Sequence, residues 1–311
     1  MTDSLAAVAA RFAAVPYHAH LGMIVDALDA HTVRLRIPFA ETNANPGKAL
    51  HGGVYASAID AAAALLASGP GADASRDGRP VEPRASHEGR PVEEHASHEG
   101  RTLDLTVSYL AAAIGSDVVA EGRLLRRGKD LAFVEVAVRD VAGKELARGL
   151  VTYRTVAPGP DERTLDAVPP SDLVPGEVPK LARAIQAAPF MAARGMDITL
   201  MHGGRALVAM PLRDANAGAH GALHEGAVAA LLDTAGAMAS WSVTGVDLRY
   251  KASTPAIHVS FHAPAPPGEG AVAHARTLSR SDESFLNAVT VYAAESGRAI
   301  ATGSVTYRIV T

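Results

Sequence analysis

One signature occurs twice in this chain, 173 positions apart. Leu50-His51-Gly52-Gly53 is followed by six residues and then Asp60. Leu223-His224-Glu225-Gly226 is followed by six residues and then Asp233. Pro16, Gly22, Met23 and Pro38 recur at the same offset as Pro189, Gly195, Met196 and Pro211. Later, Leu124, Arg126, Gly143, Gly149 and Val151-Thr152-Tyr153-Arg154 recur as Leu278, Arg280, Gly297, Gly303 and Val305-Thr306-Tyr307-Arg308, at an offset of 154. An internal repeat sets the architecture before any local pattern does. The 311 residues suffice for two units of about 150 each.

Each half reads in the same order. A short helix (about 4–14, then 179–188) precedes two strand-like runs, which in the first half lie near 21–28 and 31–37. His31 to Ile37 alternates with period two, as a half-buried strand does. A turn from Asn43 to Gly47 leads into a helix at about 52–67. Four strands follow near 103–110, 117–126, 131–139 and 144–155, with turns at Gly128-Lys129-Asp130 and Ala142-Gly143. The second half repeats this with a helix at about 225–241 and strands from about 246 to 310. The units are therefore placed at 1–155 and 179–311. Residues 156–178, with Pro158, Pro160, Pro169, Pro170 and Pro175, read as an extended linker.

An insert at about 69–100 follows the first long helix. It contains a tandem copy, Arg79 to Gly89 and Arg90 to Gly100, and reads as a mobile polar loop. Its His87, Glu88, His95, His98 and Glu99 invite a metal reading. The Pro and Gly around them give no rigid frame for ligands, and a solvated duplication accounts for them.

Composition narrows the function. A net charge of -4 gives no basic surface for nucleic acid or anionic membrane. The absence of cysteine excludes disulfides, thiolate metal sites and a Cys nucleophile. No apolar run approaches the ~20 residues of a membrane span. A soluble cytoplasmic protein is the expectation.

The helix from Gly52 is apolar nearly all round and rich in Ala, Gly and Ser, so it should be buried with another backbone close by. In a strand-rich chain its cover is a curved antiparallel sheet. It nevertheless carries Asp60, as its copy carries Asp233, and a lone buried carboxylate is costly unless paired or functional. A polar pin between helices is the plain alternative. Asp60 lies eight residues past Gly52, about 12 Å along a helix. The N–H groups at the helix start favour a carbonyl or oxyanion. One helix cannot aim both features at one carbon. Two helices packed antiparallel and crossing near Ala56 and Ala229 can, with Asp233 beside the first helix start and Asp60 beside the second.

The His-Gly-Gly element, with Asp nine positions after the His in this element order, resembles the hotdog-fold thioesterases of the PaaI-like group. The match covers nearly the whole chain twice and implies an α+β tandem, or double, hotdog. His202-Gly203-Gly204 is a decoy, since its repeat-equivalent is the hairpin turn at Asp29-Ala30-His31. The resemblance implies an acyl-CoA thioesterase with sites between the two units. A helix-start N–H polarises the thioester carbonyl, and the partner unit's Asp acts on water or as nucleophile. An Asn six positions before the His, and a hydroxyl before the next strand, assist. Carried onto this chain, the first site takes Asn45, His51, Gly52 and Gly53 with Asp233. Its hydroxyl position falls near Gly245 and is missing. The second takes His224 and Gly226 with Asp60 and Thr102, but has Gly218 for the Asn and Glu225 for the first Gly. The first site is therefore ranked as the catalytic one.

His51 and His224 are expected to cap their helices, because an Asp already supplies the base. No metal or cofactor is called for, and coenzyme A enters only as part of the substrate. Arg126, Arg127 and Lys129, with Arg123 nearby, are candidates for its phosphates; a solvated basic turn is the plain reading. A homodimer of the two-unit chain is expected. The rival functions are an acyl-CoA-binding or regulatory hotdog and an enoyl-thioester hydratase or dehydratase.

Overall fold

The computed structural model describes residues 4–68, 100–156, 174–180, 182–247 and 249–311. Most of the insert and of the Pro-rich linker, including the His/Glu cluster of the duplicated segment, lies outside the described residues. In the first half, α1 (Leu5–Ala13) and α2 (Pro16–Leu21) precede β1 (Ile24–Leu28) and β2 (Thr32–Ile37). The long helix α3 (Gly52–Ser68) follows, then β3 (Arg101–Tyr109), β4 (Val118–Arg127), β5 (Leu131–Asp140) and β6 (Glu145–Arg154). The second half repeats the order. It has α4 (Ala182–Gln186), α5 (Pro189–Arg194), β7 (Asp197–His202), β8 (Arg205–Met210), α6 (Glu225–Thr244), β9 (Lys251–Phe261), β10 (Ala271–Ser281), β11 (Ser284–Ala293) and β12 (Ala299–Val310).

The strands form one twelve-stranded sheet in the order β1-β2-β4-β5-β6-β3-β9-β12-β11-β10-β8-β7. Its two halves mirror one another across the antiparallel pairing of β3 with β9, where Val107 faces Ile257 and Leu105 faces Val259. Each half wraps its own long helix. Val33, Leu35, Val134, Val136 and Val151 bury against α3, and Val208, Val259, Val291 and Val305 bury around α6. This is the tandem hotdog architecture.

The local differences from expectation have simple causes. The strand expected from 21 begins only at Ile24, because residues 16–21 form a helix. Pro16 sits at its first turn and Gly22 ends it in the left-handed region at φ 70°. Pro189 and Gly195 do the same for α5. The repeated Pro and Gly are helix brackets, Pro preset for the first turn and Gly free to take positive φ. The helix expected at 179–188 is the shorter α4, and α5 follows it as a second helix that the sequence reading did not foresee. His202-Gly203-Gly204 is the β7–β8 hairpin turn, with both glycines at positive φ. At the start of the second unit, the Gly176 N–H bonds to the Thr199 carbonyl and the Met201 N–H to the Glu177 carbonyl, fastening that stretch alongside β7.

The long helices cross antiparallel through small residues. A Cβ on Gly53 would lie 2.4 Å from the Ala230 Cβ, and one on Gly226 would lie 2.8 Å from the Ser57 Oγ. Glycines on the sheet let each helix sit low on it. A Cβ on Gly303 would lie 3.1 Å from Leu232 Cδ1 of α6 and would come within 2.0 Å of the His258 carbonyl oxygen on the neighbouring strand β9. Its repeat partner Gly149 would meet Ile59 Cγ2 at 2.6 Å. Gly303→Ala should therefore lower stability by about 1–3 kcal/mol, read as an earlier urea midpoint; an unchanged midpoint would contradict this packing.

Candidate active site

The crossing brings the two halves of the duplicated signature together, and each composite site draws on both units. At the first site, a Cβ on Gly52 would lie only 2.8 Å from Asp233 Oδ2. Asp233 stands in the middle of α6 and is 4 % exposed. At the second, Asp60 Oδ2 is 3.8 Å from His224 Nδ1 at the start of α6. The antiparallel arrangement inferred from spacing is the one found.

The first N–H groups of a helix have no intrahelical acceptor. At α3 the Gly53 N–H donates to His51 Nδ1 at 2.9 Å, and the Val54 N–H bonds to the His51 carbonyl. The Gly52 N–H is left as the donor at the site. At α6 the Gly226 N–H donates to His224 Nδ1 at 3.0 Å. Both histidines are thus caps, as expected. Gly53 and Gly226, expected to help polarise a substrate, have their N–H groups committed to those caps instead. The donor position in each site is one residue earlier, at Gly52 and at Glu225.

His51 stacks flat on Phe190, ring centres 4.0 Å apart. Burial, reinforced by the Arg194 guanidinium, lowers its pKa to about 3. His224 Nε2 lies 2.9 Å from His18 Nε2, and His18 Nδ1 lies 3.1 Å from the Phe12 carbonyl oxygen. A carbonyl only accepts, so His18 carries its proton on Nδ1 and His224 carries its own on Nε2. Burial lowers their pKa values to about 3 and about 4. With neutral imidazole, the approach of His224 to Asp60 is a polar contact, not an ion pair.

The two carboxylates are held alike. The Thr254 hydroxyl donates to Asp233 Oδ1 at 2.8 Å, and the Thr102 hydroxyl donates to Asp60 Oδ1 at 2.5 Å. This corrects the expectation of a missing hydroxyl near Gly245. Five residues separate Gly245 from the start of β9, and the hydroxyl comes from inside the strand, at its fourth residue. Thr102 is likewise inside β3, at its second. Burial raises the Asp233 pKa to about 6, against the hydrogen bond from Thr254. Burial raises Asp60 further, to about 7, and the Glu225 carboxylate adds repulsion.

A cavity of about 500 Å³ opens at the first site. Gly52, Tyr55 and Tyr109 from the first unit form its wall with Asp233, Met238 and Trp241 from the second. Asn45 lines it, its backbone N–H bonded to the Ala49 carbonyl; Gly218 makes the equivalent turn bond to Ala222. The Tyr109 hydroxyl donates to the Gly52 carbonyl at 3.2 Å, fixing the helix start from the strand side. Sequence reasoning missed Tyr109 and Thr254. It also missed Asn43 and Asn216, fully buried residues whose amides bond the Leu21 carbonyl and the Arg194 and Pro211 carbonyls. Their recurrence at the 173 offset was a usable signal.

The basic hairpin is not at this site. Arg127 donates to the Leu66 and Ala67 carbonyls, capping the C-terminal end of α3, and Arg123 pairs with Glu135. That end of α3 is about 21 Å along the helix from Gly52. Arg126, Arg127 and Lys129 do not line the cavity beside Gly52.

Asp60, His224 and Glu225 each bring a ligand-type atom within 4.8 Å of the others. Both nitrogens of His224 are already engaged, with Gly226 and His18, so the cluster does not present a histidine ligand.

The thioesterase superfamily model matches residues 47–147 and 220–300, one segment in each unit. The chain belongs to the thioesterase superfamily and is a thioester hydrolase. Solved structures match it from end to end. A hot dog fold protein of unknown function from Alicyclobacillus acidocaldarius has TM-score 0.58 at 17% identity, over 92% of this chain and 95% of that one. The tesB protein of Mycobacterium avium subsp. paratuberculosis has TM-score 0.58 at 12% identity, over 92% and 96%. An acyl-CoA thioesterase II of Mycobacterium marinum has TM-score 0.55 at 13% identity, over 94% and 96%. At these identities the likeness is one of fold. No curated protein sequence matches the chain. Among the described residues, no helix is long and apolar enough to cross a membrane.

Asp60 offers a test of this electrostatic picture. Its pKa in the folded chain is raised, so its favourable contribution to stability is present below the unfolded value of about 4 and is lost as pH rises toward 7. Asp60→Asn removes that loss and still accepts from Thr102. Calorimetry should show its Tm gain over wild type to be larger at pH 8 than at pH 5; equal gains would mean that Asp60 does not titrate in this window.

Proposed function

We propose that this chain hydrolyses acyl-CoA thioesters at the composite site between Gly52 and Asp233. The observation that carries this reading is the approach of the Asp233 carboxylate to the first residue of α3 at the edge of a 500 Å³ cavity. Seated there, a thioester carbonyl accepts from the Gly52 N–H, aided by the positive end of the helix dipole. A preorganised donor of this kind contributes about 3 kcal/mol to the transition state.

Asp233 takes a proton from a water that attacks the carbonyl carbon, and Thr254 holds the carboxylate in the orientation that this needs. Collapse of the tetrahedral intermediate breaks the C–S bond, and the proton held by Asp233 passes to the leaving thiolate. Water-mediated general-base attack is preferred here to direct attack by Asp233. A carboxylate with a pKa near 6 is ionised at neutral pH and more basic than an exposed one, which suits proton transfer. Coenzyme A is part of the substrate. Pairing of two such chains belongs to the same proposal and is read by sedimentation.

Asp233→Asn should lower kcat about a thousandfold in a free-thiol assay, with a smaller effect on KM. Unchanged turnover in that variant, with loss in Asp60→Asn, would transfer the chemistry to the second site. The base must be ionised, so kcat/KM should fall below about pH 6, the pKa of Asp233. A profile flat from pH 5 to 8 would rule out Asp233 as the base. Thiol release with no change in enoyl absorbance separates hydrolysis from hydration, and a thermal shift with neither would indicate a binder.

A further inference from the structure

The second composite site keeps the carboxylate, the threonine and the histidine cap of the first. Asp60 matches Asp233, Thr102 matches Thr254, and each carboxylate accepts from its threonine. His224 caps Gly226 as His51 caps Gly53. The backbone turns before the two helices are alike, for His51 bonds to the Asn43 carbonyl and His224 to the Asn216 carbonyl. At the donor position the sites part. In the first it is Gly52, whose missing side chain leaves the space that Asp233 Oδ2 approaches. In the second it is Glu225, whose carboxylate folds back to accept from its own backbone N–H.

That N–H is the counterpart of the Gly52 donor. A carboxylate oxygen bonded to it has the charge and place that a thioester oxyanion would have. Asp60, Glu225 and His224 crowd together within 4.8 Å, so Asp60 faces this carboxylate as Asp233 faces the vacant side of Gly52. The surroundings accommodate the plug. Arg101 and His220 favour its ionised form, while burial and Asp60 oppose it. His224 is neutral, with both nitrogens engaged, and adds no charge.

We infer that the second composite site is a hydrolytic centre held shut by Glu225, whose carboxylate stands in for the thioester oxygen. The inference rests on the reading that the Gly52–Asp233 site hydrolyses thioesters. With the side chain removed, the residue-225 N–H is free to bind the carbonyl oxygen. Water forms the new C–O bond while Asp60 takes its proton. The C–S bond then breaks with its electron pair on sulfur, and Asp60 returns the proton to that thiolate. The products are one carboxylic acid and one thiol, with water the only co-reactant.

The test uses full-length chain and free-thiol release from a panel of straight-chain and aryl acyl-CoAs. Asp233→Asn silences the first site, about a thousandfold. Adding Glu225→Gly, or Glu225→Ala as a second opening variant, should restore turnover to within about tenfold of wild type. A further Asp60→Asn should abolish it again. Glu225→Gln keeps the bulk and should restore nothing. Calorimetric titration with a thioether analogue of the best substrate should give one site per wild-type chain and two per Glu225→Gly chain.

If the opening variants unfold cooperatively like wild type yet stay silent in the Asp233→Asn background and bind one analogue, the inference is overturned while the first site stands. Restored turnover that survives Asp60→Asn overturns it as well. A wild type silent on the whole panel overturns the underlying reading, and this inference with it.

Discussion

The antiparallel crossing of two small-residue helices is the contact on which this molecule depends. Gly53 against Ala230 and Gly226 against Ser57 leave no room for larger side chains. That closeness sets Asp233 beside the start of α3 and Asp60 beside the start of α6. The sheet serves the same contact, since Gly149 lets α3 lie close against its strands and Gly236 lets α6 approach Val305 of β12. A catalytic constellation needs its groups held by rigid elements, and here each group stands on a buried helix, a central strand or a capped turn. Thr102 and Thr254 come from β3 and β9, the two strands that join the halves, so the seam of the sheet and the crossing of the helices fix the same sites.

Burial supplies the chemistry as well as the geometry. The two carboxylates are raised and the capping histidines lowered by the same loss of water. The histidines are thereby neutral and structural, which leaves the carboxylates as the titrating groups at the sites. Duplication within one chain allows these environments to differ. Tyr17 and His18 near the second site correspond to Phe190 and Met191 near the first, and Glu225 corresponds to Gly52. A dimer of identical single units would carry every such change in both sites.

Much of the site was legible before the fold was known. The spacing of Gly52 and Asp60 along one helix, too long to serve one carbon, required a partner helix running the other way. The histidine caps followed from their place before a helix start. Other parts were not legible. Thr254 follows a helix-to-strand connection much shorter than that of the first unit, so the repeat offset of the helices does not reach it. The cations at Arg126, Arg127 and Lys129 suggested a phosphate site, but the side chain of Arg127 caps α3 at its far end. Whether a basic turn faces a ligand or a helix terminus depends on packing between elements distant in sequence.

The sequence by itself determined the duplication and the buried helix with one carboxylate in each copy. These are patterns fixed by repetition, periodicity and propensity. Only the tertiary structure decided which N–H remains free at each helix start. His51 and His224 each take the second N–H of their helix, leaving Gly52 open and Glu225 folded onto its own donor. Hydrogen bonds at a helix end are won by whichever acceptor packing brings within about 3 Å, and one-dimensional spacing does not carry that distance.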